Sequence, residues 1–187
     1  MRICRPLLII LVSTAACSGQ ENGETTRSAA PPDVEVTEGD ARFGYVLGPG
    51  QGEVLGTDII KASPRSGTQG SVMISQILAD GFSTGRHVHL EADELFYVVT
   101  GEGRVSLGDQ EHVVTAGYVI FAPAGSEHRL RVDDGGRMEV IEFLDEPGLD
   151  EEFRAWHRRF SEDPSQLTLE ELNQISRQYG TVYGSLR

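Results

Sequence analysis

From Arg42 to Asp145 the sequence is a succession of short β-like runs separated by glycine-bearing turns. The runs are Phe43–Leu47, Val54–Ile60, Val72–Leu78, Leu95–Thr100, Arg104–Leu107, His112–Thr115, Val119–Phe121, His128–Val132 and Met138–Phe143. Asp80-Gly81, Gly101-Glu102-Gly103, Gly108-Asp109 and Asp133-Asp134-Gly135-Gly136 punctuate them. Runs this short and this closely spaced leave no room for crossover helices. They predict an antiparallel sandwich or barrel over residues 41–145.

After Asp145 the period changes. Leu149, Phe153, Trp156 and Phe160 recur at steps of four, three and four, which is one apolar face of a helix. Thr168 and Glu171 have capping-box spacing, Leu169, Leu172, Ile175 and Tyr179 follow, and Gly180 suits a helix stop. Residues 146–187 therefore read as a helical extension packed on the outside of the β domain. Trp156 reads as core and His157 as a surface residue.

The first 40 residues stand apart from the fold. Arg2 and Arg5 precede the apolar run Leu7–Val12 and the small residues Ser13 to Ala16. This is the layout of a secretory signal over residues 1–16, and the run is too short to span a bilayer as a helix. Residues 17–40 are polar, lack aromatics and read as a flexible tether. The only cysteines are Cys4 and Cys17, so a chain starting at Cys17 can form no internal disulfide. The net charge of −13 disfavours contact with phosphate backbones, so no nucleic-acid partner is expected.

Three of the five histidines lie in two compact segments. His87 and His89 are two apart, so on a strand both imidazoles point to one side. Glu94 opens the next run after a short turn, and His128 comes from a later hairpin. Three imidazoles and a carboxylate make a mixed nitrogen and oxygen donor set for one divalent ion: iron, manganese, nickel, copper or zinc. Four protein ligands on a six-coordinate ion leave two open positions, the mark of a site that can take a ligand. Alternation from Glu94 turns Phe96 and Val98 inward, and Phe121 and Phe143 are the other candidates to line a cavity. His112 reads as structural, and Glu91 and Asp93 as turn acids.

These positions carry a family resemblance. Gly81, His87, His89, Glu94 and Gly101 follow the spacing G-x5-H-x-H-x4-E-x6-G, and Gly117, Pro123, Gly125 and His128 follow G-x5-P-x-G-x2-H. Both resemble the two motifs of the cupin superfamily, with Val132 where the second motif usually has asparagine. The resemblance implies an all-β fold, a double-stranded β-helix or jelly-roll barrel, with a short C-terminal helical extension. It also implies metal ligation by the four residues and a homodimer through a sheet. The segment Gly148 to Gly180 looks like the extension of quercetin-dioxygenase-like cupins. That likeness implies a mononuclear non-haem metal oxygenase acting on a small phenolic or enol-type molecule, with no acid or base assigned. The alternatives are a non-catalytic module binding a small molecule or metal, and a metal-dependent isomerase or lyase of sugars or small acids. Thr14-Ala15-Ala16-Cys17 resembles a bacterial lipobox, with Thr14 where leucine is preferred. It implies a periplasmic-side envelope protein whose sole membrane contact is a lipid anchor at Cys17, against plain secretion.

Overall fold

Alternation decides which side of each strand is buried, and a glycine pair decides where the longest strand bends. A computed structural model describes residues 44–163 and 167–184. The expected signal peptide, the lipidation at Cys17, the tether over 17–40 and Phe43 lie outside the described residues.

The strands are β1 (Glu53–Leu55), β2 (Asp58–Ala62), β3 (Val72–Ala79), β4 (His87–His89), β5 (Glu94–Leu107), β6 (Gln110–Thr115), β7 (Val119–Ala122), β8 (His128–Arg131), β9 (Arg137–Leu144) and β10 (Thr181–Tyr183). Helices α1 (Leu149–Glu162) and α2 (Leu169–Ser176) lie between β9 and β10. Every pairing between these strands is antiparallel, in the order β1-β2-β3-β9-β5-β8-β4-β10, with β6 and β7 also paired to β5. Residues 44–47, read as a strand, have no regular structure, and 54–60 is a hairpin rather than one run.

Strand β5 belongs to both halves of the structure. Glu94–Tyr97 pair with β7, and Glu94 to Gly101 pair with β9. Glu102–Leu107 pair instead with β6, and Arg104–Leu107 with β8. The segment Gly101-Glu102-Gly103 is therefore a bend within a strand and not a turn between two. Its register against β9 slips between Val98 and Thr100, and Gly101 has φ +82°. A Cβ on Gly101 would lie 2.0 Å from the Arg137 carbonyl oxygen, so only glycine lets β9 come this close at the bend. Phe96, Val98, Val105, Val114, Ile120, Leu130, Met138 and Val140 fill the space between the two halves.

The sheet is not a closed barrel, which corrects the jelly-roll barrel expected from the sequence, while the short C-terminal helical extension is present as expected. The strand path ends at β1 and at β10, and these two ends do not pair. Helices hold the gap that further pairing would have closed. Arg154 of α1 reaches Glu53 of β1. Asn173 of α2 takes a hydrogen bond from the Tyr183 backbone N–H at 2.8 Å and donates to its carbonyl at 2.9 Å. Those backbone groups are the ones a strand added beside β10 would have used. The result is a mostly β, cupin-like fold with an open sheet.

The helices follow their sequence signals. The α1 face packs Leu149 and Phe153 with Ile60, Val72, Ile74 and Leu144. Thr168 and Glu171 form the capping box, and Gly180 stops the last turn at φ +80°. Leu169, placed on the apolar face by its spacing, is 48% exposed. No helix among the described residues is long and apolar enough to cross a membrane.

Candidate metal centre

The structure brings His87, His89, Glu94 and His128 to one buried point, with one donor atom from each inside a mutual distance of 4.8 Å. None of the four is more than 6% exposed. Strand pairing sets this geometry. His87 lies opposite His128 across β4 and β8, and β10 places Thr181 opposite His89 and Tyr183 opposite His87. The Gly125 N–H donates to the His89 carbonyl at 2.8 Å, which ties the turn before His128 to β4. Asp93 accepts from the Ala124 N–H at 2.8 Å and so joins that turn to the start of β5. Asp93 therefore positions backbone, and Glu91 is exposed.

The imidazoles are oriented from behind. His87 Nδ1 lies 3.1 Å from the Gly85 carbonyl and His128 Nδ1 lies 2.9 Å from that of Ser126. A carbonyl only accepts, so both Nδ1 atoms carry hydrogen, and Nε2 is the atom each neutral ring has left to offer a cation. His89 Nδ1 lies 3.0 Å from the Thr181 hydroxyl, which donates to Glu152 at 2.5 Å. His87 also stacks on Tyr183, with ring centroids 5.0 Å apart and planes 18° from parallel.

The inward atoms lack protein partners. His89 Nε2, His128 Nε2 and Glu94 Oε2 are buried without an aligned hydrogen bond. The Glu94 oxygen still lies 2.5 Å from His128 Nε2 and 3.5 Å from His89 Nε2. Buried polar atoms left like this are costly unless something else satisfies them. A single divalent cation meets all of them at once, and the donor set suits one.

Electrostatics agree. Burial, with His128 next to it, pushes His87 down to about 3, so its ring is neutral. Burial opposes charge on Glu94, yet the adjoining imidazoles hold its carboxyl well below the usual range. Burial also opposes charge on His128, but Glu94 raises it above its ordinary value. A second carboxyl next to Glu94, that of Glu142, is pushed well up by burial and by the charge of Glu94.

A cavity of about 150 Å³ opens in front of His87, His89 and Glu94. Its walls are aromatic, from Phe82, Phe96, Phe153, Trp156, Phe160 and Tyr183, with Asp58, Gln76, Glu142 and Glu152 as the main polar groups. No lysine or arginine is among the lining residues. Helix α1 thus walls the cavity instead of packing outside the domain.

Of the four residues expected to line it, Phe96 does. Val98 sits one alternation further along β5, in the core between the two halves. Phe121 and Phe143 face outward, 49% and 41% exposed, because Ile120, Ala122 and Leu144 are the buried alternates on their strands. His157, expected on the surface, is half-buried on the cavity wall. His112 is exposed on β6.

The sequence reading missed Asp58, Gln76, Glu142, Glu152, Thr181 and Tyr183. For Glu142 a signal existed. Met138, Val140 and Leu144 set the inward phase of β9, and Glu142 falls on it. Thr181 and Tyr183 lie on a strand of three residues, too short to show a period.

Residues 74–144, which include all four clustered residues, match the Cupin_2 family, described as a cupin domain. This segment is a cupin-superfamily domain. No curated protein matches the chain. Similar solved structures include TT1209 from Thermus thermophilus, at 24% identity over 47% of this chain and 84% of that one, TM-score 0.41. Another is the polyketide cyclase RemF from Streptomyces resistomycificus, at 22% identity over 46% of this chain and 62% of that one, TM-score 0.44. A third is KdgF from Halomonas sp., at 21% identity over 50% and 82%, TM-score 0.45.

Proposed function

We propose that this domain holds one divalent ion on His87, His89, Glu94 and His128, and binds a small molecule without negative charge in the adjoining cavity. The observation that carries this reading is the set of buried, unpartnered atoms on His89, Glu94 and His128 at the floor of an aromatic cavity. A bound ion of this kind supplies Lewis acidity and a fixed point for a ligand oxygen. The chain's own residues hold and orient. The aromatic walls exclude water and take a flat apolar ligand by stacking, while Asp58, Gln76 and Glu142 offer hydrogen bonds. An anionic sugar acid or phosphate would meet carboxyl groups with no lysine or arginine to receive it, which weighs against the isomerase or lyase reading.

A second reading, a non-haem oxygenase acting on a phenolic or enol-type molecule, is favoured by the same aromatic wall. It adds turnover to binding, so oxygen uptake separates the two. Trp156 is the only tryptophan and stands on the cavity wall, so its fluorescence reports occupancy. The test is elemental analysis of the purified protein, followed by titration with catechol in an oxygen electrode while Trp156 emission is recorded. Binding predicts one ion per chain and saturable quenching, and the oxygenase reading adds oxygen consumption. A metal content unchanged by His87→Ala would overturn both.

A further inference from the structure

Two of the three imidazoles are held from behind by backbone carbonyls, which substitution cannot remove. His89 is different: its support is a pair of side chains from elsewhere in the chain. Thr181 comes from β10 and is fully buried, and Glu152 comes from the cavity side of α1 and is 1% exposed.

We propose that Thr181 and Glu152 are positioning residues that fix the tautomer of His89 and thereby set how tightly the centre holds its ion, an inference that rests on the metal-binding reading above. The hydroxyl of Thr181 has one hydrogen. It lies 2.5 Å from Glu152 Oε2 and 3.0 Å from His89 Nδ1. The hydroxyl donates its hydrogen to Glu152 Oε2, so its lone pair takes the hydrogen of His89 Nδ1. Nδ1–H on His89 leaves Nε2 bare, and Nε2 is the atom that faces Glu94 at 3.5 Å. Reversing Thr181 would put the proton on Nε2 and block that position. Glu152, by accepting the Thr181 hydrogen, keeps that hydroxyl turned away from His89, as carboxyl groups behind ligating histidines do.

A merely structural link would tie α1 to β10 and nothing more. The two roles part in an experiment on the full domain with Zn²⁺ alone as the probe. The variants are Thr181→Val, which keeps shape and removes the hydroxyl, Thr181→Ser, which restores it, and Glu152→Gln. Zn²⁺ affinity is measured by competition with a chelator, and the tautomer of His89 from its imidazole ¹⁵N shifts. The expected result is a loss of affinity of about 10- to 100-fold in Thr181→Val, recovery in Thr181→Ser, and disappearance of the single Nδ1–H pattern of His89. Unchanged affinity and unchanged ¹⁵N shifts in Thr181→Val would overturn the relay while leaving the metal centre intact. If Thr181→Val does not fold, Glu152→Gln decides in the same way, by weakened Zn²⁺ binding or by none. If the wild type takes up no Zn²⁺, the metal-binding reading fails by itself. The ¹⁵N pattern then still decides the relay: a single tautomer lost in the variant supports it, and no change removes it.

Discussion

Arg154 on α1 forks onto the carboxylate of Glu53 on β1, with Nε to Oε1 at 2.8 Å and Nη2 to Oε2 at 2.6 Å. The same guanidinium bonds Asp150 and Glu151 on its own helix. Asp150 is 2% exposed and depends on Arg154, whereas Glu53 is half in solvent. Removing the arginine strands a buried carboxylate, whereas removing only the charge of Glu53 leaves an acceptor there and leaves Arg154 its bonds to Asp150 and Glu151. Arg154→Met should therefore lower stability by about 3–5 kcal/mol, and Glu53→Gln by no more than about 1 kcal/mol. Urea unfolding of both variants checks the ranking, and equal losses would contradict it.

Metal removal should destabilise the fold without unfolding it, because the core of the two halves owes nothing to the centre. At free metal 100 times its dissociation constant, binding stabilises by about 2.7 kcal/mol. A chelator should lower Tm in the wild type and leave the Tm of His87→Ala unmoved. A chelator shift that survives His87→Ala would take that histidine out of the site.

Two glycines with similar backbone angles should respond differently to alanine. Gly101 and Gly117 have φ of +82° and +89°. A Cβ at Gly101 meets the Arg137 carbonyl at 2.0 Å, and one at Gly117 meets nothing within 4 Å. Gly117→Ala should cost only the backbone term, about 1–2 kcal/mol. Gly101→Ala must also push β5 and β9 apart, so a loss of more than about 3 kcal/mol is expected. Thermal unfolding measured side by side decides it.

Asp58 gives a pH signature. Burial raises its carboxyl from 3.8 to about 7, against a hydrogen bond from Gln76 that lowers it. As pH climbs through that window, the unfolded chain releases the proton while the fold keeps it. The contribution of this group to stability is therefore present below the unfolded value and is lost as pH rises towards about 7. Asp58→Asn has no such term. Its stability relative to wild type should grow with pH by at most about 1.4 kcal/mol per unit and level off above about pH 7. Metal-free denaturation at three pH values checks this, and a constant difference would mean that Asp58 is ionised in the fold.

The four clustered side chains were legible because strand alternation and motif spacing act locally: His87 and His89 are two apart, and Glu94 heads the next strand. The helix boundaries were legible for the same reason, through the Thr168 and Glu171 cap and the Phe153 and Trp156 face. What escaped was decided at long range. Glycines at 101 and 103 read as a turn, and only the approach of β9 makes them a bend. Phe121 and Phe143 are apolar enough for a cavity, but their strands present the other face. Closure failed to follow from the strand pattern because Asn173, a polar residue of α2, occupies the hydrogen-bonding groups of Tyr183.

The tie between His89 and Thr181 spans 92 positions. A ribosome adding about 5–20 residues each second needs roughly 5–18 s to cover that distance. For that interval the nascent chain already displays both β4 histidines, yet His89 has nothing to accept its Nδ1 hydrogen. The four clustered donors are complete once His128 is made, but the side-chain support behind His89 waits for translation to reach β10.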